Sequence, residues 1–158
     1  MTIRKKYRLR WASSRDYAVL ADVMFEAVRT GPSRYTEAQR EQWVPERRVG
    51  ADWTARLDRQ AVIVAEGSNG IVGFMSLADA GYIDFAYILP ESQGQGLFRQ
   101  LYAEIEKLSH TRRDTRLWVH ASLAAMPAFA ALGFSITEKQ IVMIGTEKLE
   151  RFEMHLSR

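Results

Sequence analysis

Between Ala61 and Leu89 short β-branched and apolar runs alternate with turn residues, whereas the segments on either side repeat their apolar positions every three or four residues. The opening stretch Tyr7-Arg8-Leu9-Arg10-Trp11 alternates polar and apolar residues, which predicts an edge or half-buried strand. Ser13, Ser14 and Asp16 then offer N-caps for a helix whose apolar residues Val19, Leu20, Val23, Met24 and Val28 share one face until Gly31-Pro32 stops it. Thr36, followed by Glu37 and Gln39, opens a short helix that reaches Trp43 and is broken by Pro45; a second short helix is expected over 52–57. Two strands over 61–65 and 71–77 flank a hairpin turn at Gly67-Ser68-Asn69-Gly70, and a third, over 82–89, ends at Pro90. From about Gly96 a helix carries Leu97, Leu101, Ile105 and Leu108 on one stripe and ends near His110-Thr111. A strand over 116–120, a short helix over 126–132 stopped by Gly133, and two strands over 134–144 and 149–156 around a Gly145-Thr146-Glu147-Lys148 turn complete the chain.

The composition narrows the classes open to such a chain. With 158 residues, 47% hydrophobic and 26% charged, it reads as one globular domain over 1–158, without repeats or linkers. The absence of cysteine excludes a disulfide framework, a thiolate zinc site and a cysteine nucleophile, and with only His110, His120 and His155 no metal site is expected. No apolar run approaches the roughly 20 residues of a membrane span, and Met1-Thr2-Ile3-Arg4-Lys5-Lys6 has no apolar stretch behind its charges to act as a signal peptide, so a cytoplasmic protein is expected. Arg4, Lys5, Lys6, Arg8 and Arg10 supply five of 22 basic residues; the remaining 17 face 19 acidic ones, a nearly neutral body. A basic first strand without an aromatic stacking pattern is the ordinary mark of a solvated edge, so nucleic acid is not the expected partner.

The chemistry-bearing element is the join between strand 82–89 and the Leu97 helix. Pro90-Glu91-Ser92-Gln93-Gly94-Gln95-Gly96 delivers a strand into a helix N-terminus through two glycines. The first helical amides have no intrahelical partner, the helix dipole favours negative charge, and glycine lets the backbone approach phosphate oxygens, so the segment predicts an anion site. It is not a P-loop, because Leu97-Phe98 stands where Lys and Ser or Thr would be needed. Nor is it a dinucleotide fingerprint, since Arg99 occupies the third small position and the preceding strands read as antiparallel.

On these residues the chain resembles the GNAT N-acetyltransferase superfamily. Gln93, Gly94, Gln95, Gly96 and Leu97 match its Gln/Arg-x-x-Gly-x-Gly/Ala pattern, which Phe98 breaks at the normally small last place, and Ala121–Phe134 is similar to its fourth-helix motif ending in Gly-Phe. More narrowly, Tyr35–Arg40 with Trp43, Gly81–Asp84 and Ala121-Ser122-Leu123 resemble the YafP-like branch. The resemblance implies an α+β fold of mixed αβα layering: a central, mostly antiparallel sheet of about six to seven strands flanked by helices and splayed between the fourth and fifth strands. It implies acetyl-CoA as co-substrate and an amine acceptor, with backbone around Ala86, Tyr87 and Ile88 contacting the pantetheine arm. Gln93, Gly94, Gln95, Gly96, Leu97 and Phe98 then cradle the pyrophosphate, and Ser122 and Phe129 border the donor site.

The sequence also departs from that pattern. The superfamily often places a tyrosine four residues before the Gly-Phe to protonate the thiolate; this chain has Phe129 there, which is no acid, and Ser122 where an asparagine is usual. Tyr82, Asp84 and His120 are the candidate catalytic residues, since Asp84 lies in an otherwise apolar strand and histidine titrates in a range suited to a base. Period-two alternation puts Tyr82 and Asp84 on one strand face, and Tyr35, Trp43, Tyr82 and Asp84 are the candidate acceptor-binding residues. Three functions stay open: direct acetyl transfer to an amine in a ternary complex, a CoA-binding or regulatory module without catalysis, and a nucleic-acid-associated protein using its basic first strand. The final strands present an edge on which a homodimer could form.

Overall fold

The computed structural model describes residues 6–157, so that Arg4 and Lys5 of the basic first strand, and most of the N-terminal segment in which no signal peptide is expected, lie outside the described residues. Eight strands and five helices follow in the order β1 (Arg8–Trp11), α1 (Tyr17–Arg29), α2 (Glu37–Trp43), α3 (Gly50–Asp58), β2 (Ala61–Gly67), β3 (Gly70–Leu77), β4 (Tyr82–Ile83), β5 (Ala86–Ile88), α4 (Leu97–Arg112), β6 (Arg116–Ala121), α5 (Ala125–Ala131), β7 (Ser135–Ile144) and β8 (Glu147–Ser157). They form two four-stranded sheets, β1-β2-β3-β5 and β4-β6-β8-β7. All strand pairs are antiparallel except β4 with β6.

The local signals act largely as their chemistry dictates. The Thr36 hydroxyl accepts from the Gln39 amide at 3.1 Å while the Gln39 side chain accepts from the Thr36 amide at 2.8 Å, a closed capping box. Arg10 forks onto both oxygens of Asp16 at 2.8 Å and also donates to Glu66, tying β1 to the turn that leads into α1. Two apolar clusters lie on opposite sides of the sheets. Leu20, Val23, Trp53, Leu57, Phe74 and Phe85 pack under α1 and α3, and Ile63, Met75, Leu101, Ile105, Val119 and Phe134 pack under α4 and α5. This is the expected αβα layering.

The third predicted strand is where structure and expectation part. Residues 82–89 form two strands with different partners: β4 pairs with β6 and β5 pairs with β3. The break at Asp84-Phe85 has local causes. Asp84 is drawn to α3 by Arg56 and Gln60, and the Phe85 amide donates to the buried Ser76 hydroxyl at 2.9 Å. Because each half belongs to a different sheet, the sheets splay between β5 and β6, the expected place. The split also raises the strand count above the expected one. Smaller differences are at ends: α3 starts at Gly50 rather than Asp52, and the last hairpin turns on Gly145-Thr146 alone. β7 is an edge strand with Ile141 and Met143 exposed. No helix among the described residues is long and apolar enough to cross a membrane.

Candidate functional site

The splay opens a cleft of about 350 Å³ that runs from the glycine turn to the α1–α2 connection. On one flank lie Gln93, Gly94, Gly96, Leu97 and Phe98; between the sheets lie Ala86, Tyr87 and Ile88; Ser122 opens the opposite wall, and Tyr35 and Trp43 close the far end. Gly94 and Gly96 sit at φ +75° and +80°, and a Cβ on either would meet nothing within 4 Å. Their glycine identity therefore answers to backbone conformation and not to a protein neighbour, and the open space before the α4 amides has the form of an anion cradle. At the gap, the Leu89 amide bonds Val72 O and the Phe85 carbonyl accepts from Ser76 N. Antiparallel alternation then turns the Ala86 and Ile88 backbone groups away from β3, toward the cleft. The Gln93 side chain takes one of them, donating to Ile88 O at 3.0 Å.

Phe98, the bulky residue at the normally small position, lines the cleft and packs edge-on against Phe129 at 5.0 Å. Two of the expected donor-side residues lie apart from the cleft lining. Phe129 is fully buried against Phe98 and Phe134, so it builds the core behind the site and does not border the cleft. Gln95 does not line the cleft either: its Oε1 accepts from the Tyr7 hydroxyl at 2.7 Å, which pins the glycine turn to the chain ahead of β1. Ser122 Oγ accepts from the Ala125 amide at 3.1 Å, holding the first turn of α5.

Beyond the cleft's far end two surfaces face the same space. From the helical side come Tyr35 and Trp43, edge to face at 5.6 Å, and Tyr87 follows 6.3 Å from Trp43. The Tyr35 hydroxyl donates to Glu150 O at 2.5 Å and accepts from the Leu123 amide at 3.1 Å, fixing the α1–α2 connection to β8 and to the β6–α5 turn. From the second sheet, the registers Tyr82↔Trp118, Trp118↔His155 and His120↔Glu153 align one face. On it Tyr82 lies 4.4 Å from Trp118, and its hydroxyl is 3.3 Å from His120 Nδ1. His120 Nε2 is in turn 3.3 Å from Glu153, so Glu153, His120 and Tyr82 form a chain of three hydrogen-bonding groups.

Asp84 is committed elsewhere. Arg56 grips both its oxygens at 2.9 and 2.8 Å and Gln60 donates to it at 2.9 Å, with the Arg56 guanidinium 4.3 Å above the Phe85 ring. Its negative charge still reaches the Tyr82 hydroxyl. Burial first, and Asp84 second, push the Tyr82 phenol above the usual range, while Arg151 and Arg56 oppose them. Burial likewise raises Tyr87, whose hydroxyl has no hydrogen-bond partner among the described residues. Both phenols are therefore neutral donors at physiological pH.

The structure thus sets Tyr35 and Trp43 in the cleft wall, Tyr82 and His120 together on one face of the second sheet, and Asp84 against Arg56 and Gln60. Glu153, Arg56 and the Tyr87 side chain were missed by sequence reasoning. The polar residues Arg151, Glu153 and His155 do recur with period two in the last strand, which marks a face but not the strand opposite.

Two splayed sheets, a glycine turn at the N-terminus of a long helix and a cleft between them define the acyl-CoA N-acyltransferase type of fold. A model of the "Acetyltransferase (GNAT) domain" matches residues 32–152, and the chain belongs to this family. A GCN5-related N-acetyltransferase from Rhodopseudomonas palustris, described as aminotransferase, class-II, is 28% identical with a TM-score of 0.86, covering 100% of this chain and 99% of that one. The PaiA N-acetyltransferase of Thermoplasma acidophilum, solved with coenzyme A, is 18% identical with a TM-score of 0.74 over 97% of this chain and 99% of its own. The putative acetyltransferase YncA of Salmonella typhimurium, solved with acetyl-CoA, is 21% identical with a TM-score of 0.68 over 96% and 94%. No curated protein matches the sequence.

Proposed function

We propose that this protein moves an acetyl group from acetyl-CoA to the nitrogen of an amine by direct attack within a ternary complex. The observation that carries the reading is the cleft itself, with a glycine cradle at one end, β5 backbone groups turned away from β3 in the middle and the aromatic pair Tyr35 and Trp43 at the other; the Tyr82–His120–Glu153 chain on the second sheet supplies titratable groups. Relatives of the same fold solved with acetyl-CoA or coenzyme A support the choice of donor.

In this reading Gly94, Gly96, Leu97 and Phe98 present amides to the pyrophosphate, and the cleft-facing amides of Ala86 and Ile88 hold the pantetheine arm and polarise the thioester carbonyl. The amine nitrogen forms a bond to the carbonyl carbon as the carbon–sulfur bond breaks. His120, held by Glu153, takes the amine's surplus proton, through the Tyr82 hydroxyl or directly. The sulfur leaves with its bonding pair and takes up a proton from solvent, since Phe129 supplies none and a thiol of ordinary pKa is a tolerable leaving group without an acid. Asp84 orients Arg56 and sets the charge beside Tyr82. Two of the three segments that resemble the YafP-like branch, through Tyr35 with Trp43 and through Ser122, line the cleft, which is the reason to retain that finer placement.

The test is acetyl-CoA-dependent thiol release against a panel of amines, peptides and aminoglycosides, with CoA affinity measured in parallel. Turnover that falls in His120→Ala supports the reading. Tight CoA binding with no turnover across the panel would transfer the case to a CoA-binding module without catalysis.

A further inference from the structure

The Tyr82–His120–Glu153 chain continues through two further side chains, His155 and Arg116. Strand alternation puts Arg116, Trp118 and His120 of β6 on one face, beside Glu153 and His155 of β8. Glu153 holds the centre. Its Oε1 is 3.3 Å from His120 Nε2 and its Oε2 is 3.4 Å from His155 Nε2, with the Thr137 hydroxyl also 3.4 Å from Oε2. Arg116 Nη1 lies 3.1 Å from the other ring nitrogen of His155, Nδ1. Trp118 braces both rings: it stacks on His155 at 6.0 Å and meets His120 edge-on at 5.5 Å, while its indole N–H is spent on Ala80 O at 3.2 Å.

These contacts fix which nitrogen carries each hydrogen. A guanidinium has donors and no acceptor, so His155 Nδ1 must be bare and accept. The ring then carries its hydrogen on Nε2, which donates to Glu153 Oε2. Burial works to raise the Glu153 carboxyl, but hydrogen bonds from His155 and then His120 outweigh it and hold the group below its usual range, so it is an ionised acceptor. Its Oε1 takes the hydrogen on His120 Nε2. His120 Nδ1 is thereby left bare, 3.3 Å from the Tyr82 hydroxyl, which donates to it. One arginine at the far end sets the direction of every hydrogen bond in the row.

We propose that Arg116 and His155 are positioning residues for acetyl transfer: they hold Glu153 so that His120 keeps its hydrogen on Nε2 and offers a bare Nδ1 to the Tyr82 hydroxyl. The amine's surplus proton passes to the Tyr82 oxygen as the phenolic proton passes to His120 Nδ1. The imidazolium that forms keeps its Nε2–H on the carboxylate and later gives the Nδ1 proton to solvent, and no electron changes hands. A His155 ring with its hydrogen on Nδ1 would set a bare nitrogen against Glu153 Oε2, and the carboxylate would lose a donor. This rests on the amine-acetyltransferase reading above, and it deepens it by naming the residues that orient the base.

The experiment labels the histidines with nitrogen-15, uses H110Q to assign the third ring, and records long-range proton–nitrogen spectra on the alkaline side of the histidine range. Nδ1 of both His120 and His155 should carry no hydrogen and show the upfield displacement of an accepting nitrogen. R116M should remove that displacement at His155 and move the His120 signals with it, whereas R116K, which keeps a donor, should retain most of it. Thiol release from acetyl-CoA with the amine used best should show kcat reduced about 10-fold in R116M and H155F, with KM for acetyl-CoA unchanged. H155Q, whose amide keeps one acceptor and one donor, should recover most of the rate, and melting temperatures separate these effects from loss of the fold. A hydrogen on Nδ1 of either ring in the wild type, or kcat within about 2-fold of wild type in both R116M and H155F, overturns the proposal. If no amine is acetylated, the reading beneath it fails separately and the spectra decide the row: His120 signals that move in R116M uphold the orienting role, and His120 signals that stay overturn it.

Discussion

Replacing Gly81 with alanine sets a Cβ 1.9 Å from the Arg116 carbonyl oxygen, at a backbone φ of +75°. The two effects add. Left-handed backbone costs a residue with a Cβ about 1–2 kcal/mol. The clash cannot be relieved by turning a side chain, because the obstacle is the main chain at the start of β6. Gly81 directly precedes β4, whose parallel register Tyr82↔Trp118 and Ile83↔Val119 is its tie to β6. Moving the carbonyl more than 1 Å away, to an ordinary contact, gives up backbone hydrogen bonds of that short ladder, about 1 kcal/mol each. The sum is about 3–4 kcal/mol, and for a chain of this size that is a fall in Tm of roughly 10 °C. Urea unfolding of G81A read by circular dichroism, with a thermal melt beside it, gives the number. A loss under about 1 kcal/mol would refute the argument that this turn holds β4 on β6 and so sets the splay. Gly94→Ala is the matched control: its φ is +75° too, but its Cβ meets open space, so only the strain of about 1–2 kcal/mol is expected together with weakened CoA binding.

Other outcomes follow from single contacts. Arg10 holds Asp16 below the usual carboxylate range, chiefly by hydrogen bonding. A depressed folded pKa gives stability that is present above the unfolded value of about 3.9 and is lost as pH falls through the lower folded value. Unfolding free energy measured from pH 7 downward should therefore decline below about pH 4, and Asp16→Asn should flatten that limb while costing about 1–3 kcal/mol at pH 7. Tyr35→Phe strips a donor from Glu150 O and an acceptor from the Leu123 amide at a residue 8% exposed, which denaturant titration should read as a loss of about 1–3 kcal/mol. Asp84→Asn weakens a pair whose arginine is half-exposed, so stability should fall by only about 1 kcal/mol, and a much larger loss would contradict that burial. Glu153→Gln removes the carboxylate behind His120 and should lower kcat by at least about 10-fold and alter the pH profile; a changed KM alone would leave Glu153 outside the proton path.

The donor end of the site was legible in the sequence because it is local. A strand, two glycines and an amphipathic helix follow one another directly within 82–112, and amides at a helix start have nowhere else to donate. Elements with strong periodicity or closed caps were legible for the same reason, as Thr36 and Gln39 show. Tertiary structure alone decided the rest. Residues 82–89 alternate as one strand does, and only the pull of Arg56 on Asp84 and of Ser76 on the Phe85 amide divides them between two sheets. Phe129 stands at a motif position yet is buried, because Phe98 and Phe134 pack against it. The link from Glu153 through His120 to Tyr82 spans three strands in a register that turns and crossovers set. Sequence by itself determined the helix and strand periods and the phosphate-type turn, since those depend on neighbours along the chain. The acceptor end was decided by contacts between residues up to 115 positions apart, which no local pattern encodes.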